Sequence, residues 1–261
     1  MQIGLIGSGN MARAMARGWG EPILCADGGS GRASELVAEV GGEALPSAEV
    51  ARRADVVVLC HKPAQLDQVA REIGSLAKCV VSVLGATTTG RVQAAYPETP
   101  VFVLIPNTPV EVRRGLIAYA VRPPAVAVND GVADPELEPK ILELFGRLGR
   151  VVQIPDKLVD AATSISGVGP AYLAVVAEAQ IDAAVGHGVP ATLAAELVVE
   201  TIAGSAALLA QRGYDTLAVR RAVTSPAGST ARGLAALERS GVRAAFQAAM
   251  DASVTPEPRR S

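Results

Sequence analysis

Aromatic residues and histidines are scarce in this chain of 261 residues. Phe, Trp and Tyr together make up 3% of it, and His61 and His187 are its two histidines. Hydrophobic residues nevertheless make up 49%, so we expect a core built from Ala, Val, Leu and Ile. Two histidines that lie far apart in the sequence argue against a histidine-based metal site, and we expect no metal.

Three other features are also lacking. A net charge of −2 gives neither a basic surface for nucleic acid nor an acidic tail. The three cysteines, Cys25, Cys60 and Cys79, lack metal-ligand spacing, and we interpret them as buried free thiols in a reducing cytoplasm. No charged leader precedes the first strand, and no uninterrupted apolar run reaches the ~18 residues of a membrane span. We therefore expect a cytoplasmic protein whose partners include neither nucleic acid nor a membrane.

The first twenty residues, MQIGLIGSGNMARAMARGWG, indicate a buried strand, a glycine turn and an amphipathic helix. Gly7 permits the sharp turn, Gly9 lets the backbone approach a pyrophosphate, and Ala12 keeps the helix close to the strand. Unpaired amides at the helix start, together with the helix dipole, favour an anion there. The pattern predicts a dinucleotide site, although a glycine-rich turn that only packs would have the same letters.

Asp27 ends the second predicted strand, roughly 20 residues after the glycine turn. An acidic residue there commonly accepts hydrogen bonds from ribose hydroxyls and repels a 2′-phosphate, which favours NADH. Ser30 and Arg32 follow in a glycine-rich loop and are placed to hold a phosphate, which favours NADPH. The cofactor preference stays open at this point, and an exposed turn carboxylate is the alternative interpretation of Asp27.

Strand-like and helix-like segments alternate as far as Ile154, which predicts a Rossmann-like, doubly wound parallel sheet over residues 1–154. Two of the predicted strands are followed by His61-Lys62-Pro63 and by Pro106-Asn107-Thr108-Pro109. Ligands bind at the carboxyl ends of strands in open α/β sheets, so Lys62 is expected near the cofactor. The second motif is either a contact on the nicotinamide side or a stiff structural turn.

The pattern changes at residue 155, after which no strand-like alternation follows. Predicted helices cover residues 157–165, 170–185, 190–211, 216–223, 229–239 and 242–253. The second and third of these are apolar on more than one face, so we expect them to be buried against a second copy of the chain. The sequence predicts an all-α substrate-binding and dimerisation domain over residues 155–254, and a disordered tail over 255–261.

A hydroxyl-rich loop, VTSPAGST at residues 223–230, precedes one of the predicted helices. The backbone amides of residues 228–230 are expected to form a cradle for a small carboxylate, to which Ser225 and Thr230 add hydroxyl donors. Ordinary helix capping by Ser225 or Ser229 would account for one hydroxyl without any ligand.

Six motifs occur in order along nearly the whole chain. They are GLIGSGNMARAMARG, HKP, PNTP, SGVGPAY at 166–172, VTSPAGSTARGLAALE at 223–238 and GVRAAF near the end. In this order they resemble the pyrroline-5-carboxylate reductase family. The resemblance implies NAD(P)H-dependent reduction of L-1-pyrroline-5-carboxylate to L-proline, the last step of proline biosynthesis. It also implies an intertwined helical homodimer, often assembled further into rings.

Where the motifs match, the resemblance implies which residues of this chain correspond to the functional residues of the family. Cofactor contacts would fall on Gly7, Ser8, Gly9, Asn10, Met11, Lys62, Pro63 and Asn107, in addition to Asp27. Substrate contacts would fall on Ser225, Gly228, Ser229 and Thr230, of which Ser225 and Thr230 are the candidate catalytic residues. The chain departs from the family pattern at Ala227, where paired glycines are usual, at residues 84–87, and at Val103, where an arginine is common.

Two alternative functions remain open. A reductase of a different cyclic imine acid would share the fold and the cofactor, and the substitution at Ala227 bears on the substrate. A non-catalytic dinucleotide-binding sensor would keep the fold without turnover, although a sensor has no need of the hydroxyl loop. A 3-hydroxyacid dehydrogenase would need an ionisable base that the helical part does not offer. Tyr172 is a weaker candidate proton donor, and a packed aromatic residue is the simpler interpretation.

Overall fold

The computed structural model describes residues 1–121 and 135–254, and these form two compact units. Residues 1–170 belong to the first unit and residues 171–253 to the second. The predicted tail over 255–261 lies outside the described residues.

The first unit contains eight described strands around which its helices pack. The strands are β1 (Ile3–Ile6), β2 (Ile23–Ala26), β3 (Gly42–Ala44), β4 (Val56–Leu59), β5 (Val80–Ser82), β6 (Val101–Pro106), β7 (Gly115–Val121) and β8 (Gly149–Pro155). The helices are α1 (Asn10–Trp19), α2 (Arg32–Val40), α3 (Ser47–Arg53), α4 (Leu66–Ile73), α5 (Thr89–Ala95), α6 (Leu137–Gly146) and α7 (Val159–Ala162).

The strands form one sheet in the order β3-β2-β1-β4-β5-β6-β7-β8. From β3 to β6 every neighbouring pair is parallel, and the strand order reverses beside β1, so the predicted doubly wound, Rossmann-like fold is confirmed. Strand β7 differs, because it runs antiparallel to β6. The segment that joins β6 to β7 contains only the short 3-10 turn Thr108–Val112, and a parallel crossover needs a dozen or more residues.

The core of the first unit lies on both faces of this sheet. Strands β1, β2 and β4 are buried at every position, as expected for central strands that are covered on both sides. One apolar cluster includes Trp19 and Phe145, whose rings meet edge to face, and the other includes Tyr96. The three cysteines are free, and Cys25 and Cys79 are buried.

Residues 156–167 pack as part of the first unit. Val159 belongs to an apolar cluster on the sheet, and Asp156 Oδ1 accepts hydrogen bonds from the Thr89 amide (2.9 Å) and hydroxyl (2.5 Å). A π-helical turn, Thr163–Gly167, follows α7. The compact unit therefore extends to Pro170, whereas the domain boundary predicted from the sequence lies at the end of β8.

The second unit is entirely helical in the described residues. Its helices are α8, which begins at Gly169 (Gly169–Gly186), α9 (Ala191–Gln211), α10 (Thr216–Ala222), α11 (Ser229–Arg239) and α12 (Val242–Ser253). Within residues 171–253, Ala194 is the one buried residue, and apolar side chains such as Leu173 and Leu197 are exposed. This unit leaves a broad apolar surface without cover from its own chain.

Two helical stretches, Asp156–Gly186 and Ala191–Gln211, are long and apolar enough to cross a membrane by length and composition alone. The second stretch contains Glu196 and Glu200, so it is not an uninterrupted apolar run. One or two such helices are weak evidence for a membrane span, and the expected absence of a membrane partner stays a prediction.

Candidate functional site

A cavity of about 620 Å³ lies at the carboxyl ends of β1, β2 and β4. Its walls include six of the residues predicted to bind the cofactor, namely Gly7, Ser8, Gly9, Asp27, Lys62 and Pro63. The cavity lies where the strand order reverses, which is the position at which open α/β sheets bind their ligands. Residues separated by more than fifty positions thus meet around one space because their strands are neighbours.

Gly7 makes the turn between β1 and α1 possible for two separate reasons. Its φ of +109° is a conformation that residues with a side chain rarely adopt. A Cβ atom on Gly7 would also lie 2.6 Å from the carbonyl carbon of Cys60 and 2.7 Å from the His61 amide nitrogen. Only glycine therefore lets the loop after β1 approach the loop after β4 so closely.

Helix α1 begins at the cavity with its first amides uncapped by any side chain of the described residues. Gly9 is the N-cap residue, and a Cβ there would meet no atom within 4 Å, so the space beside it is open. Arg13 is directed elsewhere, because its Nη2 atom pairs with Glu35 at 2.6 Å. The helix start therefore offers backbone donors and the positive end of its dipole to an anion.

Asp27 organises the loop after β2. Its Oδ1 atom accepts from the Gly29 amide (2.8 Å), and its Oδ2 atom accepts from the Ser30 hydroxyl (2.9 Å) and the Ala33 amide (2.9 Å). Burial alone would raise the pKa of Asp27, but these hydrogen bonds outweigh it and hold the pKa below its ordinary value. Asp27 is thus an ionised carboxylate with a structural role, because it ties residues 29–33 to the end of β2.

Arg32 and Lys62 bring positive charge to the cavity wall. Neither side chain forms an ion pair or hydrogen bond with the described residues, so both charges are available to a ligand. The Ser30 hydroxyl donates to Asp27, and its oxygen still has acceptor capacity. The Asp27 carboxylate and the Arg32 guanidinium therefore line the same cavity.

Three predicted cofactor residues do not line this cavity. Asn10 is exposed on the first turn of α1, and Met11 packs partly against the apolar core. Asn107 Oδ1 accepts from the Leu116 amide at 2.8 Å, which ties the turn after β6 to β7. The side-chain amide nitrogen of Asn107 is left without a partner in the described residues. Asn107 can therefore stabilise the turn through its oxygen and still donate to a ligand through its nitrogen.

Several cavity residues were missed from the sequence. They are Pro46, Ser47, Gln65, Gln68, Val69 and Glu72. The first two follow β3, a strand of three exposed residues that has no apolar alternation. The others lie at or on α4, whose polar positions look like an ordinary solvated helix face. The proline before α3 and the serine that begins it were the one available signal.

The hydroxyl groups of the loop before α11 have no hydrogen-bond partner in the described residues. Gly228, not a serine, is the N-cap residue of α11, and no side chain of the described residues caps this helix. Ser225, Ser229 and Thr230 form no hydrogen bond through their side chains in the described part of the chain. Helix capping therefore does not account for any of the three hydroxyls. The Gly228 amide is already bonded to the Ser225 carbonyl, so of the expected cradle the three hydroxyls and the amides of residues 229 and 230 are without a partner in the described residues.

Gly228 leaves little space for a side chain while the Ser225 hydroxyl keeps its position. A Cβ on Gly228 would collide with the Ser225 hydroxyl oxygen, while the Gly228 amide donates to the Ser225 carbonyl at 3.1 Å. Ser225 is exposed and Thr230 is half-buried. The hydroxyl of Ser225 and the start of α11 are thus held close together.

The other candidate groups are less suited to chemistry. The Tyr172 hydroxyl donates to the Ala249 carbonyl at 3.3 Å, which gives it a structural partner. Among residues 1–121 and 135–254, no group of three His, Cys, Asp or Glu side chains is arranged to hold a metal ion. Burial lowers the pKa of His61, whose Nδ1 bonds the Lys62 carbonyl, so this cavity residue is neutral near pH 7.

Two family profiles match the chain. Residues 156–257 match the profile described as pyrroline-5-carboxylate reductase dimerisation. Residues 2–85 match the profile described as NADP oxidoreductase coenzyme F420-dependent. The two matches correspond to the helical part and to the first half of the sheet.

Similar proteins cover almost the whole chain. The pyrroline-5-carboxylate reductase of a Synechocystis strain is 33% identical over 97% of this chain and 96% of its own length. A structure of the Streptococcus pyogenes reductase has a TM-score of 0.86 at 25% identity, covering 97% of this chain and 96% of that one. A Plasmodium falciparum pyrroline carboxylate reductase with NADP bound has a TM-score of 0.83 at 26% identity, covering 97% and 95%.

Proposed function

The chain belongs to the pyrroline-5-carboxylate reductase family, and from this premise we propose that it reduces L-1-pyrroline-5-carboxylate to L-proline with NAD(P)H. The observation that carries the proposal is the similarity over nearly the full length of proteins with that name. The free hydroxyl loop before α11 adds to it, because a small carboxylate needs such a cradle.

The residues around the cavity fit a dinucleotide. Gly9 leaves open space beside the uncapped start of α1, as a pyrophosphate requires, and Ser8 lies next to it on the cavity wall. Asp27 and Arg32 would face the adenosine ribose, and Lys62 and Pro63 the more central part of the cofactor. We assign Asn10, Met11 and Asn107 to the cofactor by family resemblance alone.

When bound, the reduced nicotinamide supplies a hydride for the imine carbon of the substrate. Ser225 and the amides of residues 229 and 230 would hold the carboxylate, which fixes the ring and contributes to rate by orientation. The Thr230 hydroxyl lies close to the ring nitrogen and supports its protonation, directly or through a water molecule. The carbon–nitrogen double bond thereby gains one hydride and one proton, and L-proline results.

Both cofactor forms are compatible with the loop after β2. The guanidinium of Arg32 is free to pair with a 2′-phosphate, while Asp27 keeps acceptor capacity for ribose hydroxyls. We propose that Arg32 decides how well NADPH competes with NADH. Replacing Arg32 by Glu should weaken NADPH more than NADH, because the new carboxylate repels only the additional phosphate.

We also propose that the helical unit forms a homodimer, with assembly into a higher ring as a further possibility, and that the protein works in the cytoplasm. The exposed apolar helices α8 and α9 and the matched dimerisation profile support the homodimer. A partner that is nucleic acid or a membrane is not part of this proposal.

The proposal is tested by the initial rate of NADH and NADPH oxidation with pyrroline-5-carboxylate, next to a six-membered cyclic imine acid at equal concentration. We expect turnover with the five-membered substrate and formation of proline. A faster reaction with the six-membered ring would move the assignment to that other class of imine acid. Cofactor binding without turnover of either substrate would favour the sensor.

A further inference from the structure

The loop before α11 contains a residue in a backbone conformation that its side chain disfavours. Ala227 has a φ of +56°, in the left-handed region where a Cβ is crowded by the following carbonyl oxygen. The next residue, Gly228, has an ordinary extended conformation with a φ of −69°. The sharp change of direction in this loop is therefore made by an alanine rather than by a glycine.

One side chain holds the carbonyl group of that alanine. Arg232, on the first turn of α11, donates from Nη1 to the Ala227 carbonyl oxygen at 2.8 Å. Its own amide donates to the Gly228 carbonyl at 3.2 Å as the helix begins. Among the described residues, no other side chain bonds to the backbone of residues 225–230. In the described residues, the Arg232 guanidinium is thus the side-chain group that holds the backbone of this loop, and we call this contact the clamp.

We propose that Arg232 is a positioning residue for the reduction, which holds Ala227 in the left-handed conformation and so aims the Ser225 hydroxyl and the amides of residues 229 and 230 at the substrate carboxylate. The inference rests on the function proposed above. Arg232 acts through Ala227 and does not touch the substrate. Its guanidinium reaches the carbonyl with a planar donor group.

A glycine in place of Ala227 separates this geometric role from a simple effect of charge. Glycine adopts the left-handed region about as readily as the right-handed one, so a loop with Ala227→Gly needs no clamp. If Arg232 acts by holding the backbone, its removal should therefore matter in the wild-type loop and matter little in the Ala227→Gly loop. If Arg232 acts through its charge, its removal should matter equally in both backgrounds.

The experiment compares wild type, Arg232→Ala, Ala227→Gly and the double variant, measuring kcat and the KM for pyrroline-5-carboxylate. We expect Arg232→Ala to raise KM by about 3- to 10-fold, the value of one net hydrogen bond, with a smaller change in kcat. In the Ala227→Gly background the same change should leave KM within about twofold. Arg239→Ala is the matched control, because Arg239 lies on the last turn of α11 without a described partner.

Hydrogen exchange of the Gly228 amide provides a readout that does not depend on catalysis. This amide bonds to the Ser225 carbonyl, and we expect Arg232→Ala to speed its exchange about 3- to 10-fold in the wild-type loop, but within about twofold in the Ala227→Gly loop. Equal effects in both backgrounds, or no effect of Arg232→Ala, would overturn the proposal. A wild-type protein without reductase activity would refute the proposed function, while the exchange rates would still decide the role of Arg232.

Discussion

The two units of this protein differ in how much of their side-chain surface they bury. In the sheet unit, Trp19, Tyr96 and Phe145 are fully buried, and apolar clusters cover both faces of the sheet. In the helical unit, Ala194 is the one buried residue within residues 171–253. The sheet unit thus has its core within one chain, whereas α8 and α9 leave apolar side chains exposed in the single chain. The matched dimerisation profile indicates that a second copy covers them.

This difference also separates the two parts of the site. The cavity that we propose for the dinucleotide is lined by residues of the sheet unit. The loop that we propose for the substrate carboxylate lies in the helical unit, which the dimerisation profile matches. Cofactor binding should therefore survive changes in the helical unit that abolish reduction. Four predictions address the two units, from the largest expected effect to the smallest.

Gly7→Ala should damage the sheet unit most. The positive φ costs about 1–2 kcal/mol for a residue with a Cβ, and overpacking against the Cys60 backbone costs about 1–3 kcal/mol. We expect the free energy of unfolding to fall by about 2–5 kcal/mol and cofactor binding to be lost, as measured by denaturant unfolding and by titration with NADPH.

Gly9→Ala is the matched control for this change. Its φ of −74° suits alanine, and the added methyl group meets no protein atom within 4 Å. Stability should therefore be unchanged, while affinity for NADPH falls about 10- to 100-fold because the methyl group occupies the space of the pyrophosphate. Equal stability of the two variants would contradict the close approach assigned to Gly7.

Leu197→Lys should disrupt the dimer and leave cofactor binding by the sheet unit intact. Leu197 lies on α9 and is 55% exposed in the single chain. Burying an unpaired ammonium group costs several kcal/mol, so the dissociation constant of the dimer should rise about 100-fold or more. Light scattering would detect the monomer, and NADPH titration should show that the cofactor still binds.

Val112→Lys is the control on the sheet unit. Val112 is 69% exposed in the 3-10 turn between β6 and β7, and we expect neither the mass of the particle nor the reductase rate to change. A dimer that persists in Leu197→Lys would refute the assignment of α9 to the interface.

Thr230→Ala and Ser225→Ala should divide the substrate loop into two roles. Loss of the Thr230 hydroxyl, which we place near the ring nitrogen, should lower kcat about 100-fold, as for other positioned proton-transfer groups, with little change in KM. Loss of the Ser225 hydroxyl should mainly raise KM for the imine, by about 10-fold, the value of a hydrogen bond to a charged group. Unchanged kinetics in both variants would remove this loop from the site.

Asp27→Asn should have the smallest effect and is specific to the sheet unit. The hydrogen bonds from Gly29, Ser30 and Ala33 hold the pKa of Asp27 below its ordinary 3.8, so ionised Asp27 stabilises the folded state above that pH. We expect the variant to lose about 1 kcal/mol near neutral pH, a small value because the carboxylate is partly solvated.

The same stabilisation should disappear as the pH falls through the lowered pKa of Asp27, since the protonated carboxyl group accepts these hydrogen bonds poorly. Urea unfolding of wild type and Asp27→Asn at a series of pH values measures this. Curves that converge below the ordinary pKa agree with the account. A constant difference down to acid pH would show that the carboxylate charge contributes nothing.

Local patterns made much of the sheet unit predictable. The spacing of Gly7 and Gly9 between an apolar strand and a helix predicted their place beside the cavity, because the turn depends on a few neighbouring residues. Strand β3 was missed, since Gly42–Ala44 is short and exposed, and Gln68 and Glu72 were missed because they reach the cavity only through the tertiary fold.

The helical unit was predictable in outline, and its loop was not. The apolar pattern predicted α9 and α11 within one or two residues of their observed bounds. The left-handed backbone at Ala227 and its contact with Arg232 depend on one local geometry that no spacing rule describes. The sequence indicated the hydroxyls and amides of this loop, and the structure adds the Arg232 guanidinium, which contacts the loop from α11.

Isotope transfer from the cofactor tests the central claim most directly. Wild-type protein would be incubated with pyrroline-5-carboxylate and reduced cofactor that carries deuterium at the transferred position of nicotinamide C4. The account predicts L-proline one mass unit heavier, with deuterium on the ring carbon beside nitrogen that does not bear the carboxylate. Bound cofactor without labelled proline would contradict the assignment of this chain as an imine reductase.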